Sequence, residues 1–171
     1  MSKRKARERV QFTSGSRPRP VKLPLHSVHR FDLMGGPSSA FRGLDQRRLF
    51  YRVHVNGDPI PAGSRGAMFD VRDFSVPTIP QAEAIVTAIV EALVRGDSVY
   101  VACGYGQGRT GLALALVAKV FGASDPVEYV REHYNPLAVE TPQQEAFVAT
   151  FPVWGLRWRL ARAALKRRLA G

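Results

Sequence analysis

Cysteine is almost absent. The chain has 171 residues and one cysteine, Cys103. No intrachain disulfide can form, which excludes a disulfide-stapled secreted scaffold and leads us to expect a reducing, cytoplasmic setting. Metal-ligand spacing is missing as well. His26, His29, His54 and His133 follow no zinc pattern, and no second cysteine could complete one. Long apolar runs are missing too: residues 112–118 are too few to span a bilayer. The basic start of the chain has no apolar segment behind it, so a secretory signal is not expected there. Acid is scarce at both ends. Of the net charge of +11, residues 1–22 carry +7 and residues 157–171 carry +6, leaving residues 23–156 at −2. A global basic charge suggests a nucleic-acid binder, whereas this distribution suggests basic appendages on a nearly neutral body.

That body has the makings of one domain. Hydrophobic residues are 45% of the chain and charged residues 23%, an ordinary globular mix, and the length suits a single core. Residues 1–22 lack hydrophobic periodicity and read as a basic flexible arm. Residues 23–156 form the expected domain and residues 157–171 a basic C-terminal helix. Residues 35–39 (GGPSS) read as a loop. Residues 49–55 (LFYRVHV) precede an Asn56-Gly57 turn and read as a strand, with residues 67–71 a second. Residues 78–95 read as a helix, with Thr78 as N-cap and Ile85, Ile89, Val90 and Leu93 at helical spacing. Residues 98–102 (SVYVA) form a strand of the buried type. Residues 110–121 are apolar nearly all round, as in a buried helix. Two further helices start at Ser124-Asp125-Pro126 and at Thr141-Pro142. The alternation predicts an α/β fold with a central, mostly parallel sheet flanked by helices.

Chemistry concentrates between the buried strand and the buried helix. The strand delivers Cys103, and Gly104, Tyr105, Gly106, Gln107 and Gly108 follow. Arg109 and Thr110 then open the helix. Glycines let successive N–H groups turn inward around an anion, and a helix N-terminus adds positive potential. The Arg109 fork can hold two phosphate oxygens. The same field favours the thiolate of Cys103. A purely structural account would make Cys103 a small buried hydrophobe, but it leaves Arg109 unexplained, since an arginine at a helix N-terminus is unfavourable without an anion.

The C-x5-R-[ST] pattern from Cys103 to Thr110 resembles the signature of cysteine-dependent protein tyrosine phosphatases. Its continuation Gly108-Arg109-Thr110-Gly111 is similar to the dual-specificity branch. Asp73-Phe74-Ser75-Val76-Pro77 resembles the family's general-acid loop, and residues 138–147 its late glutamine-bearing segment. The resemblance covers residues 65–151. Ala102 stands where the family usually has histidine, and Val71-Arg72 where Trp-Pro often precedes the acid. The resemblance implies a tyrosine-phosphatase-like fold and a phosphatase acting on phosphotyrosine, and on phosphoserine or phosphothreonine, with no metal or organic cofactor. Cys103 is the implied nucleophile and Asp73 the acid. Arg109 and the amides of residues 104–109 form the implied phosphate cradle. Thr110 donates to the departing sulfur, and Gln144 positions the water.

Alternatives remain at several of these positions. Asp70 is a rival acid, and Gln144 is equally well the capping-box partner of Thr141. Gly106, Gly108 and Gly111 also match a dinucleotide-binding glycine pattern, which explains neither Cys103 nor Arg109. An RNA 5′-end phosphatase and a catalytically silent phosphate-binding module are the alternative functions. Residues 154–169 can form a helix with Trp158, Leu165 and Leu169 on one stripe. Arg159, Arg162 and Lys166 flank it on one side, Arg157 and Arg168 on the other. That helix either packs its stripe on the domain or meets a polyanion, RNA or an anionic membrane.

Overall fold

The structure, a computed structural model, describes residues 19–21, 32–43 and 50–170. The strands are β1 (Arg19–Val21), β2 (Leu33–Pro37), β3 (Phe50–His54), β4 (Arg65–Met68) and β5 (Ser98–Cys103). They form one sheet in the order β1-β2-β5-β3-β4. Only β1 runs antiparallel to its neighbour; the β2–β5, β5–β3 and β3–β4 pairs are parallel. The helices are α1 (Ile79–Val94), α2 (Gly108–Val120), α3 (Pro126–His133), α4 (Pro142–Thr150) and α5 (Trp154–Ala170). Among the described residues no helix is long and apolar enough to cross a membrane.

β5 occupies the centre because its residues can be buried on both faces, as parallel sheets require. Val99, Val101 and Cys103 join the main core with α1 and α2, whereas Tyr100 and Ala102 face the other side with Phe50. A 3-10 helix over Ser38–Gly43 covers that second face. Its Phe41 meets Tyr100 edge-on at 5.3 Å, and the Arg52 guanidinium lies 3.4 Å from the Phe41 ring centre. α1 starts at a complete capping box between Thr78 and Gln81 and buries Ile85, Val86, Ile89, Val90 and Leu93. From Thr110 to Ala118 every residue of α2 is buried, and the helix packs against α1, α3 and α4 as well as the sheet.

Several local expectations shift. The segment read as a loop at residues 35–39 supplies most of β2, because β5 offers it a full parallel ladder, and Tyr134 and Leu114 pack directly over Gly35. The strand expected over 67–71 runs from Arg65 to Met68, the stretch in register with β3. Asp70 lies beyond it, in an isolated bridge with Asn56. Of the expected flexible arm, residues 19–21 form an edge strand on β2, and Arg19 donates to the Tyr134 carbonyl at 3.3 Å. Residues 1–18 and 22 lie outside the described residues. The C-terminal helix begins at Trp154, as the reading of residues 154–169 expects, and so crosses the domain boundary drawn at residue 157.

Candidate active site

The end of β5 and the start of α2 enclose the loop from Cys103 to Arg109. The Cys103 side chain is buried, and the Gly106 N–H donates to its Sγ at 3.2 Å. Gly106 has φ +70°, and a side chain there would run into the backbone of Gly36 and Pro37 on β2. Only glycine satisfies both conditions. The loop is fixed from behind by Tyr134, whose hydroxyl donates to the Gly106 carbonyl at 2.5 Å. Burial, reinforced by the nearby Cys103, pushes the Tyr134 phenol well above its ordinary range. It therefore stays a protonated donor at neutral pH.

Arg109 leans toward the acid loop. One guanidinium nitrogen donates to the Val71 carbonyl at 3.0 Å, and the other lies 3.0 Å from the Asp73 carboxylate. Arg109 Nε is buried without a protein partner, as is Thr110 Oγ1. Asp73 is 45% exposed, open to a substrate. Its loop is drawn tight by Ser75, whose N–H and hydroxyl both donate to the Arg72 carbonyl. Phe74 adopts φ +56°, an uncommon conformation for a residue with a side chain, and projects its ring 62% exposed. Tyr105, on the phosphate loop, is 63% exposed. Asp70 lies instead beside Gly57, with its carbonyl accepting from the Gln81 amide.

Gln144 is fully buried at the start of α4. Its side-chain amide donates to the Ser75 carbonyl at 3.1 Å, and its oxygen accepts from the Glu140 N–H at 3.0 Å. The Gln144 N–H takes the Thr141 hydroxyl as its cap. The side chain thus ties the acid loop to the segment before α4.

Two carboxylates that the sequence reading passed over complete the surroundings. Glu140 lies directly over Gly108, where even a methyl group would collide with it. Burial, and then the Asp73 charge, push its carboxyl up, against a smaller opposing pull from Arg109. Glu140 falls inside the segment quoted for its glutamine, so its position next to Gln144 was the available signal. Asp58 follows the Asn56-Gly57 turn. A hydrogen bond from Asn56, another from Ser38, and the His54 and Arg109 charges hold it below its ordinary value, with burial opposing. His54 is also buried, in register with Ala102 across β3 and β5. Its Nδ1 lies 3.1 Å from the Asp58 carbonyl.

Comparison with known proteins agrees with this geometry. The family described as "Tc-R-P: Polymorphic toxin system, DSP-PTPase phosphatase" matches residues 57–122. Two uncharacterized proteins of Methanocaldococcus jannaschii, MJ0215 and MJECL20, are each 35% identical over 133 residues, 78% of this chain. The match covers 80% and 86% of those proteins. Among solved structures, Tk-PTP in its active form superposes with a TM-score of 0.57 at 25% identity, over 74% of this chain and 90% of that one. DUSP15 superposes with a TM-score of 0.64 at 17% identity, over 77% and 91%. The chain belongs to the cysteine-dependent protein tyrosine phosphatase superfamily, on its dual-specificity-like side, and is a cysteine-dependent phosphatase.

Proposed function

We propose that the protein hydrolyses aryl phosphate monoesters, phosphotyrosine above all, through a phosphocysteine intermediate. The Cys103 thiolate attacks phosphorus, forming the S–P bond as the ester P–O bond breaks. Asp73 gives its proton to the leaving oxygen. The Arg109 guanidinium and the amides of residues 104–109 receive the equatorial oxygens as their charge shifts. Water then attacks phosphorus, loses a proton to Asp73, and displaces the sulfur, which takes a hydrogen bond from the Thr110 hydroxyl. Gln144 contributes by holding the acid loop and the Glu140 segment together, which places the water's surroundings.

The observation that carries the substrate reading is the pair of exposed aromatics, Phe74 on the acid loop and Tyr105 on the phosphate loop. Rings on both loops suit an aromatic leaving group. The charge balance supports the same choice. Asp58, Asp73 and Glu140 lie within electrostatic reach of Arg109, the one Lys or Arg in residues 103–109. Such a setting favours a single phosphate over a polyanion. Solved relatives of the same fold include PTPMT1 in complex with PI(5)P and the PP-IP phosphatase SIW14 from S. cerevisiae, so phosphoinositides and inositol phosphates are the competing substrates, with RNA 5′ ends.

The test is a substrate panel on wild type and Cys103→Ser: p-nitrophenyl phosphate, phosphotyrosine and phosphoserine peptides, a phosphoinositide, an inositol polyphosphate and 5′-phosphorylated RNA. The highest kcat/KM is expected on phosphotyrosine. Cys103→Ser should still bind the peptide while turnover disappears. A higher kcat/KM on RNA or an inositol phosphate overturns the substrate assignment. Inertness of wild type on the whole panel makes the protein a phosphate-binding module, and turnover by Cys103→Ser refutes the covalent route.

A further inference from the structure

The α5 helix carries two apolar stripes, and the domain uses one of them. Leu156 is buried and Leu160 half-buried against the main core. Trp154, Trp158 and Leu165 are 75%, 69% and 57% exposed. At about 100° per residue these three fall within about 40° of one another around the helix, on the outward side. A stripe of two tryptophans and a leucine left in water is unusual for a soluble surface.

Charge says what would cover it. Residues 157–171 contain six Lys or Arg and no acid. Arg162 is exposed, one turn beyond Trp158 on the flank of the stripe. Arg157 and Arg159 are already engaged. Arg157 donates to the Lys119 and Val120 carbonyls at the end of α2, and Arg159 pairs with Glu83 at 2.6 Å. These bonds fix which way the helix faces, so its apolar stripe is presented rather than free to roll inward. The Arg157 anchor lies about 17 Å along α2 from Gly108, which sets the stripe apart from the phosphate loop.

We propose that α5 is a docking surface for an anionic lipid bilayer, with Trp154, Trp158 and Leu165 seated at the headgroup–acyl boundary and the basic residues on lipid phosphates. Tryptophan prefers that boundary, and an apolar stripe edged with arginine is the form that interfacial helices take. The other occupants fit less well. A second copy would bring one strongly basic helix against another. RNA would satisfy the arginines and stack on the tryptophans, but offers Leu165 nothing comparable. Docking here holds the phosphatase body at a surface and asks nothing of its chemistry.

The chain has two tryptophans in all, and both lie on the stripe, so selectively excited tryptophan fluorescence reports on this surface alone. The full-length protein is titrated with vesicles of phosphatidylcholine, and of phosphatidylcholine mixed with phosphatidylglycerol, across a salt series. We expect co-sedimentation, a blue shift and quenching by brominated acyl chains with the anionic vesicles, falling as salt rises. Leu165→Glu keeps both reporters and should weaken binding about tenfold or more. Arg162→Ala should weaken it about fivefold. Both variants should turn over p-nitrophenyl phosphate as wild type does. Co-sedimentation without a blue shift places the contact on another basic segment and overturns the proposal. So does equal binding to neutral vesicles. Quenching by single-stranded RNA, or self-association abolished by Leu165→Glu, either one without vesicle binding, assigns the stripe to that partner instead.

Discussion

Arg109 and Asp73 touch: a guanidinium nitrogen lies 3.0 Å from a carboxylate oxygen. The phosphate-holding arginine and the proton donor of the proposed reaction are therefore coupled before any substrate arrives. An entering phosphate competes with Asp73 for the same fork, while the Val71 carbonyl keeps the other guanidinium nitrogen in place. In the proposed reaction that competition frees the carboxyl to turn toward the leaving oxygen.

Asp73→Asn should slow substrates with poor leaving groups by about 10²–10⁴-fold and those with good leaving groups much less. It should also tighten inorganic phosphate or vanadate, because a competitor for Arg109 loses its charge. Leaving-group dependence of kcat/KM and anion inhibition constants measure the two effects. Asp70→Asn should show neither; if it shows the leaving-group pattern and Asp73→Asn does not, the acid is Asp70.

Gly104 and Gly106 sit two residues apart and should respond oppositely to alanine. At Gly104 the nearest neighbour of an added methyl is an Arg109 nitrogen at 3.8 Å, an ordinary contact. At Gly106 the φ of +70° and the β2 backbone both oppose it. Gly106→Ala should cost about 2 kcal/mol or more in thermal unfolding and lower turnover with it. Gly104→Ala should leave the melting temperature nearly unchanged. Equal melting temperatures for the two variants would show that the loop gives way at Gly106.

The loop from Cys103 to Thr110 was legible because its chemistry is contiguous in sequence. So were α1, with its cap, and α2, with its unbroken apolar run. β2 was not, since Gly35-Gly36-Pro37 has turn composition and becomes a strand only when β5 supplies the ladder. Asp58 and Glu140 escaped notice for a related reason. Each is an ordinary acid in a turn or before a helix, and only the folding of distant segments brings them to Arg109. The same holds for His54. It lies 48 positions before Ala102 in sequence yet beside it in the sheet. The exposure of Trp154 and Trp158 could not be read from helical periodicity, because α5 has two apolar stripes and periodicity does not say which one packs.

Glu140 and Asp58 should leave opposite marks on stability against pH. The Glu140 carboxyl is raised from its ordinary 4.5, so the folded state keeps that proton longer than the unfolded one. Its contribution falls as pH rises through 4.5 to the raised value, and stays low above it. Glu140→Gln should therefore match wild type near pH 4 and melt higher at neutral pH. Asp58 is lowered from 3.8. Its stabilisation is complete above that value and disappears as pH falls through the lower folded one. Asp58→Asn should melt lower than wild type at neutral pH, the gap closing in acid. Melting curves from pH 3 to 8 decide both, and a Glu140→Gln difference independent of pH would refute the burial argument.

Lys119 should matter for stability and hardly at all for chemistry. It is the one charged residue in the apolar stretch of α2, and its ammonium donates to the carbonyls of Val148, Ala149 and Phe151 at 2.7, 2.7 and 3.0 Å. Those carbonyls belong to the last turn of α4 and its C-cap residue Phe151, where intrahelical donors have run out. Burial and the neighbouring Arg157 lower the lysine's affinity for its proton, but three acceptors in one fork hold the charge in place. Methionine keeps the length and the packing and removes every donor. Lys119→Met should therefore cost about 2 kcal/mol, the scale of charged hydrogen bonds lost from a half-buried site. For a chain of this size that corresponds to a fall of about 4–8 °C in melting temperature. Turnover of p-nitrophenyl phosphate well below the transition should stay at the wild-type level, because Lys119 lies ten residues after Arg109 on α2, about 15 Å along the helix. An unchanged melting temperature would mean that water caps α4 equally well in the variant.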